Sequence, residues 1–137
     1  MSGKKPAKTS AQRNKRTPAK GIKTTTKAAV QADMVKKAQT RLTKLFLLIN
    51  NVGRNRAIRS IKKMMLHDPI PLARLTAIAQ FTQYAADQKT RKGIENALKV
   101  LREGHKNEPI QKLKDLYLYN ISIIEQQIER RFGQGVN

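Results

Sequence analysis

Cysteine and tryptophan are missing from this 137-residue chain altogether, and the first acid does not occur until Asp33. Without cysteine there is no disulfide framework, no thiolate metal site and no cysteine nucleophile. Long apolar runs are missing too. The longest, Leu45 to Ile49, falls far short of the roughly 20 residues that a membrane span requires, and nothing near Met1 resembles a signal-peptide apolar region. Pro6 and Pro18 interrupt any amphipathic helix there, which argues against a transit peptide.

Catalytic patterns are equally scarce. There is no phosphate-binding glycine loop and no nucleophile elbow. His67 and His105 have no second ligand at metal spacing and read as helix-end residues. Glu125 and Glu129 are a carboxylate pair at helical spacing, but Arg130 and Arg131 beside them make surface ion pairing the ordinary reading. The expectation is a protein that is not an enzyme and takes no cofactor, no metal and no small-molecule substrate.

What the chain does have is positive charge, +20 in all. The residues before His67 contribute 18 lysines and arginines against one acid, and those from His67 onward contribute 11 against eight. Such asymmetry is self-repulsive unless a polyanion neutralises the first half. Twenty charges match about 34 Å of duplex DNA at one phosphate per ~1.7 Å, close to one helical turn. Residues 1–27 carry Lys4, Lys5, Lys8, Arg13, Lys15, Arg16, Lys20, Lys23 and Lys27, with no acid and no aromatic residue. This composition is expected to be disordered alone, and it lacks the stacking platforms of single-strand binders. It suits backbone contact without sequence readout.

Beyond the arm the pattern is helical throughout. Val35, Ala38, Leu42, Leu45, Ile49 and Val52 form one stripe, with Lys36, Lys37, Arg41 and Lys44 on other faces and Gly53 as a stop. A second helix over 54–66 turns Ile58, Ile61 and Met65 inward and carries Arg54, Arg56, Arg59, Lys62 and Lys63. Asp68 is placed to cap a third helix whose first turn accepts Pro69 and whose inward residues are Leu72, Leu75, Ile78, Ala79, Phe81, Thr82 and Ala85. A fourth runs from Thr90 to Glu103, burying Ile94, Leu98 and Leu101 and stopping at Gly104. Asn107 caps the last, from Glu108 to Phe132, where Ile110, Leu113, Tyr117, Ile121, Ile124, Ile128 and Phe132 repeat at three, four, four. Leu116, Leu118 and Ile123 widen that face, so the helix is either central in its own bundle or partly buried against another subunit. No strand alternation occurs, and the fold class is all-α, a bundle of four to five helices.

The helices flanking Gly53 could be read as a DNA-reading helix-turn-helix, with Arg54, Asn55 and Arg56 reaching bases, but any helix pair joined by a glycine looks like this. Residues 34–66 could lie on an anionic membrane, yet the stripe is only as wide as a bundle core needs and no tryptophan supplies an anchor.

A basic arm, then basic helices, then an α-helical domain ending in a strongly apolar helix: this layout resembles the coat proteins of filamentous and rod-shaped DNA viruses of archaea. The resemblance spans the whole chain in layout, without a short motif behind it. It implies a helical bundle, as a homodimer or paired with a related coat protein, that wraps double-stranded DNA in A-form and stacks into a helical filament. It implies an arm over 1–27, DNA-facing helices over 28–66, an outer bundle over 67–132 and a tail over 133–137. Lys4 to Lys27 and the charges from Lys36 to Lys63 would then line the DNA, and Tyr117, Ile121, Ile124, Ile128 and Phe132 would make subunit contacts. The location implied is the virion's nucleocapsid, with host cytoplasm during assembly. Composition also fits a ribosomal or nucleoid-associated protein binding a discrete RNA or DNA site, because both arms read phosphate.

Overall fold

A computed structural model describes residues 27–133, and 89% of these are helical. Five helices follow in order: α1 (Lys27–Val52), α2 (Arg54–His67), α3 (Pro71–Ala86), α4 (Arg91–Asn107) and α5 (Gln111–Phe132). There is no strand among the described residues, as the all-α reading expects. Backbone contacts divide the chain into Met1–Lys36 and Lys37–Asn137, so α2 shares one compact unit with α3, α4 and α5. In the first unit, Val30, Met34 and Val35 on α1 are exposed.

In the second unit, α2 packs on α3 and α4 on α5, and α3 also meets both α4 and α5. One core joins them, built from Leu45, Ile61, Met65, Ile78, Phe81, Ile94, Leu98, Leu101 and the inward face of α5. A small satellite gathers Ala38, Ile70 and Ala73.

The α3 face differs from the sequence expectation. Leu72, Leu75 and Ala79 point outward and Ala73 and Ala77 are buried instead, while Ile78, Phe81 and Ala85 are buried as expected. Small side chains explain the shift: Ala73 and Ala77 on α3 and Ala57 on α2 let two backbones approach closely, and the leucines are left at the edge. On α1, Ala38 and Leu45 are buried and Leu42 and Ile49 half-buried, but Val35 and Val52 are exposed.

Two helix starts also move. Asp68 and Glu108 each precede a proline, which holds them in extended backbone at ψ 132° and 124°. Asp68 is therefore not the N-cap of α3, and Asn107, the last residue of α4, is not that of α5. Asp68 Oδ1 instead accepts from Ile70 N at 2.9 Å, and Glu108 Oε2 from Ile110 N at 3.1 Å. The isoleucines occupy the N-cap positions of α3 and α5, with Pro71 at the first turn of α3. Thus the acid–Pro–Ile sequence builds the same turn twice.

Arg74 ties these turns together. Its Nη1 donates to the Asp68 carbonyl at 2.9 Å, and its Nε and Nη2 donate to the two Glu108 carboxylate oxygens, both at 2.9 Å. The pair is buried, which is tolerable only because the fork geometry satisfies both charges.

Gly104 does not stop α4. The helix continues three residues to Asn107, and Gly104 lies buried in its last turn against the Tyr117 ring. A Cβ there would sit 2.5 Å from Tyr117 Cζ, so the glycine is required by packing rather than by a turn.

Candidate nucleic-acid interface

Of the candidate phosphate-binding residues, Lys4, Lys5, Lys8, Arg13, Lys15, Arg16, Lys20 and Lys23 lie outside the described residues; Lys27 begins α1. Lys36, Lys37 and Lys44 are exposed along α1.

The amphipathic α2 sorts its charge most cleanly. Ala57, Ile61 and Met65 are buried, and Arg56, Arg59, Lys62 and Lys63 project from the other side. At ~1.5 Å rise per residue these four cover about 10 Å of helix. Among the described residues none of them has a carboxylate partner. Their charge is therefore compensated only by solvent and counterions, which is the condition for phosphate to displace those counterions.

Two other candidates are spent within the fold. Arg41 is half-buried and its Nη1 donates to Asp68 Oδ1 at 2.6 Å, anchoring α1 to the turn before α3. Arg54 donates through Nε to Gln80 Oε1 at 3.1 Å and lies 3.5 Å from Asp87. Their partners lie 26 to 33 residues away, beyond the reach of local pattern. Arg41 is a structural cation, and Arg54 keeps only part of its valence for a ligand.

A groove of about 810 Å³ opens beside Arg54, lined also by Val52, Gly53, Asn55, Arg56, Ala86, Asp87, Lys89, Gln127 and Arg131. Gly53 adopts φ 89° and makes no side-chain cap to α2, so the first amides of that helix lack a protein acceptor from it. On the far wall, Gln127 Nε2 donates to the Ala86 carbonyl at 2.7 Å and Arg131 Nη1 to the same oxygen at 3.4 Å, while the Arg131 guanidinium stacks on Phe132 at 5.0 Å. Lys89 and Arg131 were not among the expected contacts. No local signal marks them, since the turn after α3 and the end of α5 meet only in three dimensions.

The residues expected at a subunit interface lie elsewhere. Tyr117, Ile121, Ile124 and Ile128 are buried in the chain's own core, and Phe132 packs half-buried against it. The apolar residues that α5 does present outward are Leu118, Tyr119 and Ile123. Glu125, read as a partner of nearby arginines, pairs across to Arg102 of α4 at 2.6 Å.

Among the described residues no three His, Asp or Glu side chains converge as metal ligands, and no helix is long and apolar enough to cross a membrane. The buried Tyr117 hydroxyl is pushed far above its ordinary pKa by burial, with the Glu108 charge adding to the shift and Arg74 opposing it. No protein-family model matches the chain, and neither does any curated protein or solved structure.

Proposed function

We propose that this chain is a structural nucleoprotein, a viral coat protein that packages double-stranded DNA without sequence preference in a helical filament. The observation that carries the reading is the α2 flank of Arg56, Arg59, Lys62 and Lys63, exposed and without carboxylate partners among the described residues, in a chain of net charge +20. The arm adds eight more cations before Lys27. Self-association draws support from large apolar residues left exposed among the described ones, such as Phe46 and Leu47 on α1, Leu72 and Leu75 on α3, and Leu118, Tyr119 and Ile123 on α5. The filament would lie in the virion, with assembly in host cytoplasm.

The test is nuclease protection of long double-stranded DNA and double-stranded RNA by the purified protein, with electron micrographs of the same samples. Continuous protection of DNA with filaments is the expected result. One observation favours a second reading, a ribosomal or nucleoid protein at a discrete site: the apolar face of α5 is consumed as core. Short footprints without filaments, or protection of structured RNA alone, would establish that reading instead.

A further inference from the structure

We infer that the groove at the α1–α2 corner is a phosphate seat that holds consecutive backbone phosphates of the nucleic acid, an assignment that rests on the duplex-binding reading above. Its volume of about 810 Å³ lies within the ~300–1,000 Å³ typical of ligand pockets, far more than one hydrated ion needs. Four cations line it, Arg54, Arg56, Lys89 and Arg131, against one acid, Asp87.

That acid is engaged: Gln83 Nε2 donates to its Oδ1 at 3.0 Å, and Arg54 holds its other oxygen at 3.5 Å. Arg56, Lys89 and Arg131 are left without a carboxylate partner among the described residues. They come from three separate segments, the start of α2, the α3–α4 turn and the end of α5. Like charges brought together by a fold repel one another, so this convergence costs stability until an anion fills the space between them.

The far wall is also fixed in place. Arg131 is held by the Ala86 carbonyl and by its stack on Phe132, so its guanidinium loses little rotamer freedom when it meets a phosphate. The lining is mostly polar, with Val52 and Ala86 among its apolar members, and no aromatic ring is part of it. A base has nothing to stack on there, whereas phosphate oxygens have several donors. The groove thereby extends the α2 flank around the corner through Arg56, which belongs to both.

The experiment measures binding of a labelled 20-base-pair duplex to the full chain across a salt series, for wild type, K89Q/R131Q and a charge-matched control, K106Q/K112Q. The control charges are exposed near the opposite end of α5, with Lys112 about 28 Å from Arg131 by helix rise. The groove pair is expected to lower the slope of log K against log salt by about 1.8, at ~0.9 per phosphate contact, and the control by less than half of that. K89Q alone, whose side chain has no ion pair among the described residues, is expected to lower the slope by about 0.9 should R131Q loosen the α3–α5 tie. Equal losses for groove and control variants overturn the seat and leave the duplex reading intact.

Amide spectra of the full chain titrated with pyrophosphate separate the two failures. Saturable shifts confined to residues 53–56, 89 and 131 support the seat even if wild type fails to bind duplex, an outcome that refutes the coating reading alone. Absence of such shifts overturns the seat.

Discussion

Replacing Gly104 with alanine tests whether packing or backbone freedom selects the glycine. In the interior of an exposed helix this change stabilises by about 1 kcal/mol, because alanine loses less conformational freedom on folding. At position 104 the new methyl would lie 2.5 Å from Tyr117 Cζ and 2.6 Å from Cε1, and closer still to the hydroxyl. Ordinary carbon contacts are ~3.5–4.0 Å, so the ring would have to retreat by about 1 Å. Tyr117 is fully buried, so its retreat must displace core neighbours. Overpacking of this kind costs about 1–3 kcal/mol, and the size of the overlap puts it near the upper end. The net expectation is a loss of roughly 2 kcal/mol. In a Tyr117→Leu background, itself weakened by about 2 kcal/mol through lost contacts, the ring is gone and the helix term remains. There Gly104→Ala is expected to be neutral or to stabilise by up to ~1 kcal/mol. Urea denaturation followed by far-ultraviolet circular dichroism measures all four corners of the cycle. Equal effects in both backgrounds would refute the packing argument.

Arg74→Met alone should destabilise by about 3–5 kcal/mol by stranding the Glu108 carboxylate, whereas Arg74→Met with Glu108→Leu should recover most of that loss; equal midpoints for the single and double variants would argue against a desolvated pair. Tyr117 should ionise only with unfolding. Its folded pKa is raised, so the stability it confers is complete below the unfolded value of about 10 and drains away as the pH climbs beyond it; in a Tyr84→Phe, Tyr119→Phe background, where Tyr117 is the sole tyrosine, a phenolate absorbance that leads the loss of helicity would contradict this. Thr90→Ala removes the oxygen that accepts from Gly93 N at 3.0 Å and should cost about 1 kcal/mol by urea midpoint. Deleting residues 2–26 should flatten the salt dependence of duplex binding while helical dichroism persists; loss of the fold would show that the arm is part of it.

Periodicity carried most of the fold. The α5 stripe and the α2 face are legible because each apolar residue that matters recurs at three or four and ends up inside. The errors share one cause, side chains whose role is set by a neighbour distant in sequence. Leucine outranks alanine in any reading of hydropathy, so Leu72 and Leu75 displace Ala73 and Ala77 from the expected α3 face, although close approach to α2 demands the small residues and Ile78, Phe81 and Ala85 lie inside as expected. Gly104 reads as a helix end until Tyr117 is seen against it. No local pattern marks Arg74 for burial, because its partner Glu108 lies 34 residues on. In the candidate interface, charge asymmetry was visible from composition, but the partners of Arg41 and Arg54 and the arrival of Lys89 and Arg131 beside Arg56 were not.

The Arg74 bridge also bears on how long the native chain survives. Helices α2 and α3 form one local hairpin and α4 and α5 another, and Arg74 in the first grips the turn that opens α5 in the second. Neither hairpin can make this bridge alone, so the grip closes only when the two dock. An interaction absent from the transition state leaves the speed of folding nearly untouched and sets the rate of unfolding, the case expected of a bridge that closes last. Stopped-flow kinetics of Arg74→Met should therefore show a steeper rise in the unfolding rate than fall in the folding rate, marking one guanidinium as the timer on the assembled bundle.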